Sequence, residues 1–154
     1  MKKGFRVALI VAITIGVLGP AAWYASRQNG YPSPQDCLDA YAEARKAGNV
    51  PMFLGCLAPP LRQRMNTQFP DADAFAESLR GSMKDVKSWV QLDAVVDGAT
   101  ATVDVDEVLA SGTRRIRFHL ERTGQNWLIS KIEAPKDVPG TIPFGTDVTK
   151  VPAD

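Results

Sequence analysis

Residues 86–134 read VKSWVQLDAVVDGATATVDVDEVLASGTRRIRFHLERTGQNWLISKIEA. Apolar and polar residues alternate along most of this stretch, which is the pattern of β-strands with one buried face. Three short polar dipeptides separate the alternating segments, as the two-residue turns of β-hairpins do. They are Asp97-Gly98, Ser111-Gly112 and Thr123-Gly124. The stretch therefore predicts a four-stranded antiparallel meander.

These turns place the apolar residues of the four strands on one face of the predicted sheet. In this register Val105 lies opposite Val90 on one side and opposite Phe118 on the other. In the last strand the alternation slips by one residue, which predicts a β-bulge near Ser130. The residues predicted to share the apolar face are Val90, Leu92, Val103, Val105, Phe118, Leu120 and Trp127.

The opposite face carries charged residues, and the same register pairs Asp104 with His119 and Asp106 with Arg117. A carboxylate beside an imidazole can orient the ring and raise its pKa, so Asp104 and His119 are a candidate acid–base pair. Because both face away from the apolar side, we expect a solvated cross-strand pair. No catalytic residue is predicted.

Helix signals come before the strands. Ser33 is a typical N-cap because Pro34 follows it at the first helical position, and Gly48 is a typical helix end. Asn49 then predicts the start of a second, short helix over residues 51–57.

The prolines at positions 59 and 60 are expected to break that second helix, leaving residues 61–69 as one or two further helical turns. Residues 71–83 have the spacing of a third, amphipathic helix. Helices on one face of an antiparallel meander make an α+β domain. The predicted fold is therefore an N-terminal transmembrane helix, then about three helices packed on a curved four-stranded antiparallel meander.

The first 25 residues predict a membrane segment. Lys2, Lys3 and Arg6 precede an uncharged run from residue 7 to residue 25, and a helix of ~20 apolar residues spans a bilayer. Contact with lipid is expected over residues 5–25. The basic end predicts a cytoplasmic N-terminus and an extracytoplasmic C-terminal domain.

The same run has features of a secretory signal peptide, so cleavage is the alternative. Cutting after Ala22 or Ala25 would place Pro20 or Trp23 where a small residue is required. We therefore expect an uncleaved single-pass anchor in the inner (cytoplasmic) membrane, with secretion after cleavage as the second possibility.

The remaining chain divides into a tether over residues 26–32, a domain over residues 33–134 and a Pro/Gly-rich tail over residues 135–154. The tail is expected to be extended and linker-like. Its segment Ile142-Pro143-Phe144-Gly145 is nevertheless apolar enough to pack back on the sheet or to bind a partner.

Charge argues against nucleic acid as a partner. Lys2, Lys3 and Arg6 belong to the membrane segment, which leaves 15 of the 18 Lys and Arg against all 17 Asp and Glu. Nucleic acids are bound through clustered positive charge, and the exported part has no net positive charge.

The two cysteines, Cys37 and Cys56, lie in the exported part. In an oxidising compartment such a pair predicts a disulfide, with two buried thiols in a helix contact as the alternative. With one histidine and no second cysteine pair, neither a metal site nor a cofactor site is predicted.

Three features of residues 33–134 are shared with a known superfamily: an Ala-rich first helix, Gly48-Asn49 leading into Met52-Phe53-Leu54, and Trp127-x-Ile129-x-x-Ile132. With them the sequence resembles the nuclear transport factor 2-like (cystatin-like α+β cone) superfamily. In particular, it resembles membrane-anchored bacterial domains of unknown function. This resemblance implies a curved sheet that wraps around helices. The superfamily includes isomerases, dehydratases, binding proteins, secretion-system components and scaffolds, so the fold alone does not decide the function.

A cone of this kind can enclose either a packed core or a pocket. Tyr41 and Phe53, together with the apolar sheet residues named above, would line it. Since these positions are nearly all apolar, we expect an extracytoplasmic interaction or assembly domain without catalytic activity, which binds an envelope protein or a second copy through its sheet face. The alternatives are a small-molecule binding or isomerase- or cyclase-like enzyme using the cone pocket, and an envelope secretion-apparatus component.

Overall fold

The computed structural model describes residues 30–139, and the predicted anchor and most of the tail lie outside them. Four helices precede six strands. The helices are α1 (Pro34–Ala47), α2 (Val50–Gly55), α3 (Pro59–Gln68) and α4 (Ala72–Met83). The strands are β1 (Val86–Gln91), β2 (Val95–Asp97), β3 (Thr100–Leu109), β4 (Gly112–Thr123), β5 (Asn126–Ile132) and β6 (Lys136–Asp137). Among the described residues, no helix is both long and apolar enough to cross a membrane.

The helix starts predicted at Ser33 and Asn49 and the helix end predicted at Gly48 are confirmed, whereas α2 ends at Gly55 and not at residue 57. The Ser33 side chain accepts a hydrogen bond from the backbone N–H of Asp36, and the Asn49 side chain accepts one from Met52. Gly48 ends α1 with φ +68°, and a Cβ there would lie 2.8 Å from the Ala76 carbonyl oxygen. Only glycine satisfies both the left-handed backbone and this close approach.

The expectation for the prolines after α2 is confirmed in part: α2 ends before them and the residues after them are helical, but the next helix already begins at the prolines. Pro59 and Pro60 begin α3, which runs for ten residues. The first N–H groups of a helix have no partner within it, so proline costs nothing at these positions. The domain therefore has four helices instead of about three.

All strand pairings are antiparallel, as predicted. The order across the sheet is β1-β3-β4-β5, with β2 also paired to β3 and β6 to β4. The first predicted strand is interrupted at residues 92–94, which separates β1 from β2. The chain after β5 rejoins β4 as β6, which makes six strands instead of four.

The turn after β2 lies one residue later than predicted and the turn after β3 lies one residue earlier, and in both hairpins the cross-strand pairs move by two residues. Asp97 faces Thr100 and Leu109 faces Gly112, so Val103 lies opposite Phe118. A shift of two keeps each residue on its predicted face, because side chains alternate with a period of two. The predicted bulge at Ser130 is confirmed by the register shift there.

The prediction for β1 was wrong by one residue, which exchanges its faces. Trp89 points inward opposite Glu107, and Val90 lies opposite the outward-facing Asp106, with 43% of its surface exposed. Leu92 is only half-buried. Because residues 92–94 interrupt the strand, the β2–β3 hairpin fixes the register of β2 but not that of β1.

The core lies between the helices and the inner face of the sheet. Val103, Val105, Phe118, Leu120 and Trp127 are buried there, as predicted. Part of the outer edge of β5 is covered, since the Ile129 N–H donates to the Cys56 carbonyl and the Ala58 N–H to the Ile129 carbonyl.

Candidate functional site

The predicted Cys37–Cys56 disulfide is not formed in this structure. Both cysteines are buried as thiols, side by side where α1 and α2 meet. The Cys37 thiol donates to the Cys56 carbonyl oxygen over 3.6 Å, and the Cys56 thiol donates to the Met52 carbonyl oxygen over 3.2 Å. A hydrogen bond with the Cys56 side chain, together with burial, raises the pKa of Cys37 far above its usual range, so this thiol stays protonated and unreactive.

The outer face of the β3–β4 hairpin is a row of ion pairs. Arg117 donates to both carboxylate oxygens of Asp104 over 2.7 and 2.8 Å, and Arg115 does the same to Asp106 over 2.7 and 2.9 Å. Two parallel hydrogen bonds fix the planar guanidinium against each carboxylate. The hydrogen bonds from Arg117 lower the pKa of Asp104 below its ordinary value.

The predicted Asp104–His119 pair does not form, because the true register pairs Asp104 with Arg117. The His119 Nε2 instead lies 2.8 Å from a carboxylate oxygen of Glu133. This hydrogen bond lowers the pKa of the Glu133 carboxyl. Asp104 and His119 both stay on the outer face, away from the helices, so neither faces a cavity inside the domain.

The inner face holds an ion cluster that the sequence did not predict. Glu107 is 0% exposed, and its two carboxylate oxygens bind different arginines. Arg45 from α1 donates to one oxygen over 2.9 Å, and Arg114, the residue opposite in β4, donates to the other. The alternating pattern placed Glu107 on this face, but no spacing connects it to Arg45.

The Arg45 side chain also contacts α4 and two aromatic rings. It donates to the hydroxyl and the carbonyl of Ser82 in α4, and its guanidinium carbon lies 5.5 Å from the ring centres of both Tyr41 and Trp89. Cations at this distance are attracted to the faces of aromatic rings. Burial raises the pKa of Tyr41 to about 12, so its hydroxyl is neutral beside the arginine.

A cavity of about 240 Å³ lies between the helices and the inner face of the sheet, with Arg45 and Arg114 at its charged end. Three of the nine predicted pocket residues, Tyr41, Phe53 and Phe118, line it. Val90 and Leu92 do not, since the register of β1 was wrong, and four others are packed in the core instead: Val103, Val105, Leu120 and Trp127. The aromatic residues that line it are Tyr41, Phe53, Phe69, Phe75 and Phe118.

The polar groups that line this cavity are two arginines, two serines and the hydroxyl of Tyr41, and both arginines already bind Glu107. No group of His, Cys, Asp and Glu in the described part of the chain could hold a metal ion.

The large apolar residues exposed on the described part of the domain cluster at one edge of the sheet. Val95 is 71% and Val96 54% exposed on β2, and Val90 is exposed on the neighbouring β1. The outer face of β3 and β4 is charged, so these exposed apolar residues lie at the β1–β2 edge of the sheet.

The sequence matches no protein-family model and no curated protein. Among solved structures, a SEC-C motif containing protein from Rhodopseudomonas palustris matches with 18% identity and a TM-score of 0.54, over 71% of this chain and 84% of that one. A Campylobacter jejuni protein described as an NTF2-like transpeptidase matches with 10% identity and a TM-score of 0.48, over 64% and 99%.

A Streptomyces avermitilis protein described as a dehydratase of the NTF2-like family matches with 15% identity and a TM-score of 0.44, over 66% and 91%. Two neighbours thus carry the nuclear transport factor 2-like name. At 18% identity the likeness to the Rhodopseudomonas palustris protein is one of fold alone.

Proposed function

We propose that the chain is a membrane-anchored, extracytoplasmic nuclear transport factor 2-like domain that binds a protein partner and catalyses no reaction. The partner contributes an extended strand, which pairs with the edge of the sheet formed by β1 and β2. The anchor is the apolar run of residues 7–25, and the basic residues before it leave the domain outside the cytoplasm.

The exposed valines of β2 are the observation that carries this proposal. Val95 and Val96 lie on a strand that pairs, among the described residues, only with β3. The second side of such a strand presents unpaired backbone N–H and C=O groups, which an extended peptide can complete. Apolar side chains on this edge would supply binding energy beyond the backbone hydrogen bonds.

The positions of the ionisable side chains support binding over catalysis. Asp104, Asp106, His119 and Glu133 are engaged in ion pairs on the outer face. Glu107, the acid on the inner face, is held by two arginines. The partner of Asp104, Asp106 and Glu107 is in each case an arginine. The partner of Glu133 is His119, which is positive when it is protonated.

The test is photo-crosslinking of the full chain in its native membranes. A benzophenone amino acid in place of Val95 should give a discrete adduct with another protein, and the same probe at Gln125, an exposed residue in the turn between β4 and β5, should not. Adding Val96→Lys should remove the Val95 adduct. The proposal fails if Val95 gives no adduct or gives the same adducts as Gln125.

A further inference from the structure

An open groove lies between α3 and the outer edge of β5. Its apolar lining includes Leu61 and Met65 of α3 and Ile132 of β5, which are all half-buried. Met65 and Ile132 also line the cavity beside Arg45, so the two spaces are neighbours. The groove encloses about 550 Å³, within the ~300–1,000 Å³ that is usual for ligand pockets.

The groove exists because the chain leaves the edge of β5 at Pro59. Residues 56–58 run along this edge and bond to both the N–H and the carbonyl oxygen of Ile129. The chain then turns into α3, so no strand follows the edge beyond Ile129 in the part of the chain that the structure describes. The space between the departing helix and the edge is the groove.

The backbone of Ile132 faces this open edge. Ile132 lies opposite Phe118, and the next residue, Glu133, donates its N–H to the Arg117 carbonyl oxygen over 2.9 Å. Because hydrogen-bonded and non-hydrogen-bonded pairs alternate in an antiparallel ladder, the N–H and C=O of Ile132 point away from β4. An extended chain lying in the groove can therefore hydrogen-bond to both groups.

The groove is lined by two cations and by no acid. Arg64 lies on the α3 side and Lys131 on the β5 side, and both are exposed. Arg64 has no ion-pair partner among the described residues, and Lys131 has Glu133 at 3.6 Å. The charge of the groove is thus complementary to a negatively charged partner.

The edge of β5 favours a peptide over a fatty acid, the other amphipathic anion that suits an apolar groove with cations. An acyl chain would remove water from the N–H and C=O of Ile132 without replacing the lost hydrogen bonds, which is costly. An extended peptide replaces them. The exposed positions of Pro60, Arg64 and Lys131 also leave the groove open to solvent, where the outer side of a peptide can stay hydrated.

We propose that this groove binds an extended acidic segment of a partner protein. The segment pairs with the backbone of Ile132, its apolar side chains pack on Leu61 and Met65, and its carboxylates face Arg64 and Lys131. The groove is a second interaction surface, at the opposite edge of the sheet from β1 and β2. The inference does not depend on the proposed β2 edge interaction.

Fluorescence anisotropy with the full chain purified in detergent tests the inference. The probe is a fluorescein-labelled peptide of alternating glutamate and valine, and a peptide of alternating lysine and valine is its control. The glutamate peptide should bind and the lysine peptide should not. A glutamate peptide with N-methylated backbone amides should not bind either, because it cannot donate to the Ile132 carbonyl oxygen.

Three substitutions locate the binding site. Arg64→Glu should weaken binding of the glutamate peptide at least about fivefold, because it removes an exposed ion pair and adds a like-charge repulsion. The matched Lys46→Glu makes the same charge change at an exposed helix position outside the groove, and should leave binding unchanged. Val96→Lys, at the β2 edge, should also leave it unchanged.

Hydrogen exchange followed by NMR provides a measurement that needs no substitution. Since only the unbound protein exchanges, the Ile132 amide should exchange roughly tenfold more slowly at about 90% saturation with the glutamate peptide. The amides of Val95 and Val96, at the opposite edge, should be unaffected.

The inference is overturned if the glutamate peptide does not bind, or if the lysine or N-methylated peptide binds equally well. It is also overturned if Arg64→Glu and Lys46→Glu weaken binding equally. Loss of binding in Val96→Lys, or protection of Val95 and Val96 in place of Ile132, would assign the peptide to the β2 edge and overturn this inference while leaving the proposed function intact.

Discussion

The β3–β4 hairpin carries arginine–carboxylate pairs on both of its faces. Asp104 with Arg117 and Asp106 with Arg115 lie on the outer face, and Glu107 with Arg114 lies on the inner face. The chemistry is the same in each pair and the positions are neighbours in sequence. What differs is access to water.

That difference changes what each pair does. On the outer face, Arg115 and Arg117 keep 40% and 50% of their side-chain surface exposed, so water and salt screen the attraction. On the inner face Glu107 has no contact with solvent, and its charge is compensated only by Arg45 and Arg114. A buried pair gains little in net, but removing one partner leaves an uncompensated charge.

The largest effect is therefore expected for Glu107→Gln. The amide has the shape of the carboxylate but no charge, so Arg45 would stay buried without its counter-ion, at a cost of about 3–5 kcal/mol. Urea unfolding followed by circular dichroism measures this loss. Replacing both Arg45 and Glu107 with Met should recover most of it. A loss no larger than that of Asp106→Asn would contradict the distinction between the two faces.

An uncharged buried group provides an intermediate case. Cys37→Ser replaces a buried thiol by a hydroxyl that is costlier to desolvate, and should lower the free energy of unfolding by about 1–3 kcal/mol. Because Cys37 and Cys56 do not form a disulfide in the structure, the loss should be the same with and without reductant. A loss seen only without reductant would indicate that a disulfide forms in solution.

A smaller effect is expected for Asp106→Asn on the outer face. It breaks a bidentate pair whose arginine can return to water, so the loss should be several times smaller than that of Glu107→Gln. Raising the salt concentration should shrink it further. Parallel urea titrations at low and high salt provide the measurement, and a salt-independent loss would place this pair in a low-dielectric environment.

The smallest effect is expected for the pH dependence that Asp104 gives to the free energy of unfolding. Arg117 lowers the pKa of this carboxyl below its ordinary value of 3.8, so the pair stabilises the folded state above that value. The stabilisation is lost as the pH falls through the lowered pKa of the folded state. The stability difference between the wild type and Asp104→Asn should thus be constant above about pH 5 and shrink in acid. A difference that grows in acid would contradict the assigned pairing.

Local chemistry allowed much of this fold to be predicted from sequence. Ser33, Gly48 and Asn49 have the expected capping roles because caps depend only on adjacent residues. Both turns next to β3 were misplaced by one residue, which moves each cross-strand pair by two residues. The predicted faces of β3 and β4 were therefore right. Val90 was misplaced because the break at residues 92–94 carries no turn signal.

The inner ion cluster shows where prediction from sequence ends. Glu107 could be placed on the inner face by alternation, but its partner Arg45 lies 62 residues away on a helix. That pairing depends on how α1 packs on the sheet, which the sequence pattern does not contain. The same limit applies to the cavity, whose lining combines all four helices with β4 and β5.

Two double-mutant cycles test the contrast between the faces most directly. One cycle combines Arg45→Met with Glu107→Met, and the other combines Arg117→Met with Asp104→Asn, each followed by urea unfolding. The account predicts a coupling of at least about 2 kcal/mol for the inner pair and a coupling several times smaller for the outer pair. Equal couplings would contradict it, because burial would then not distinguish the two faces of the hairpin.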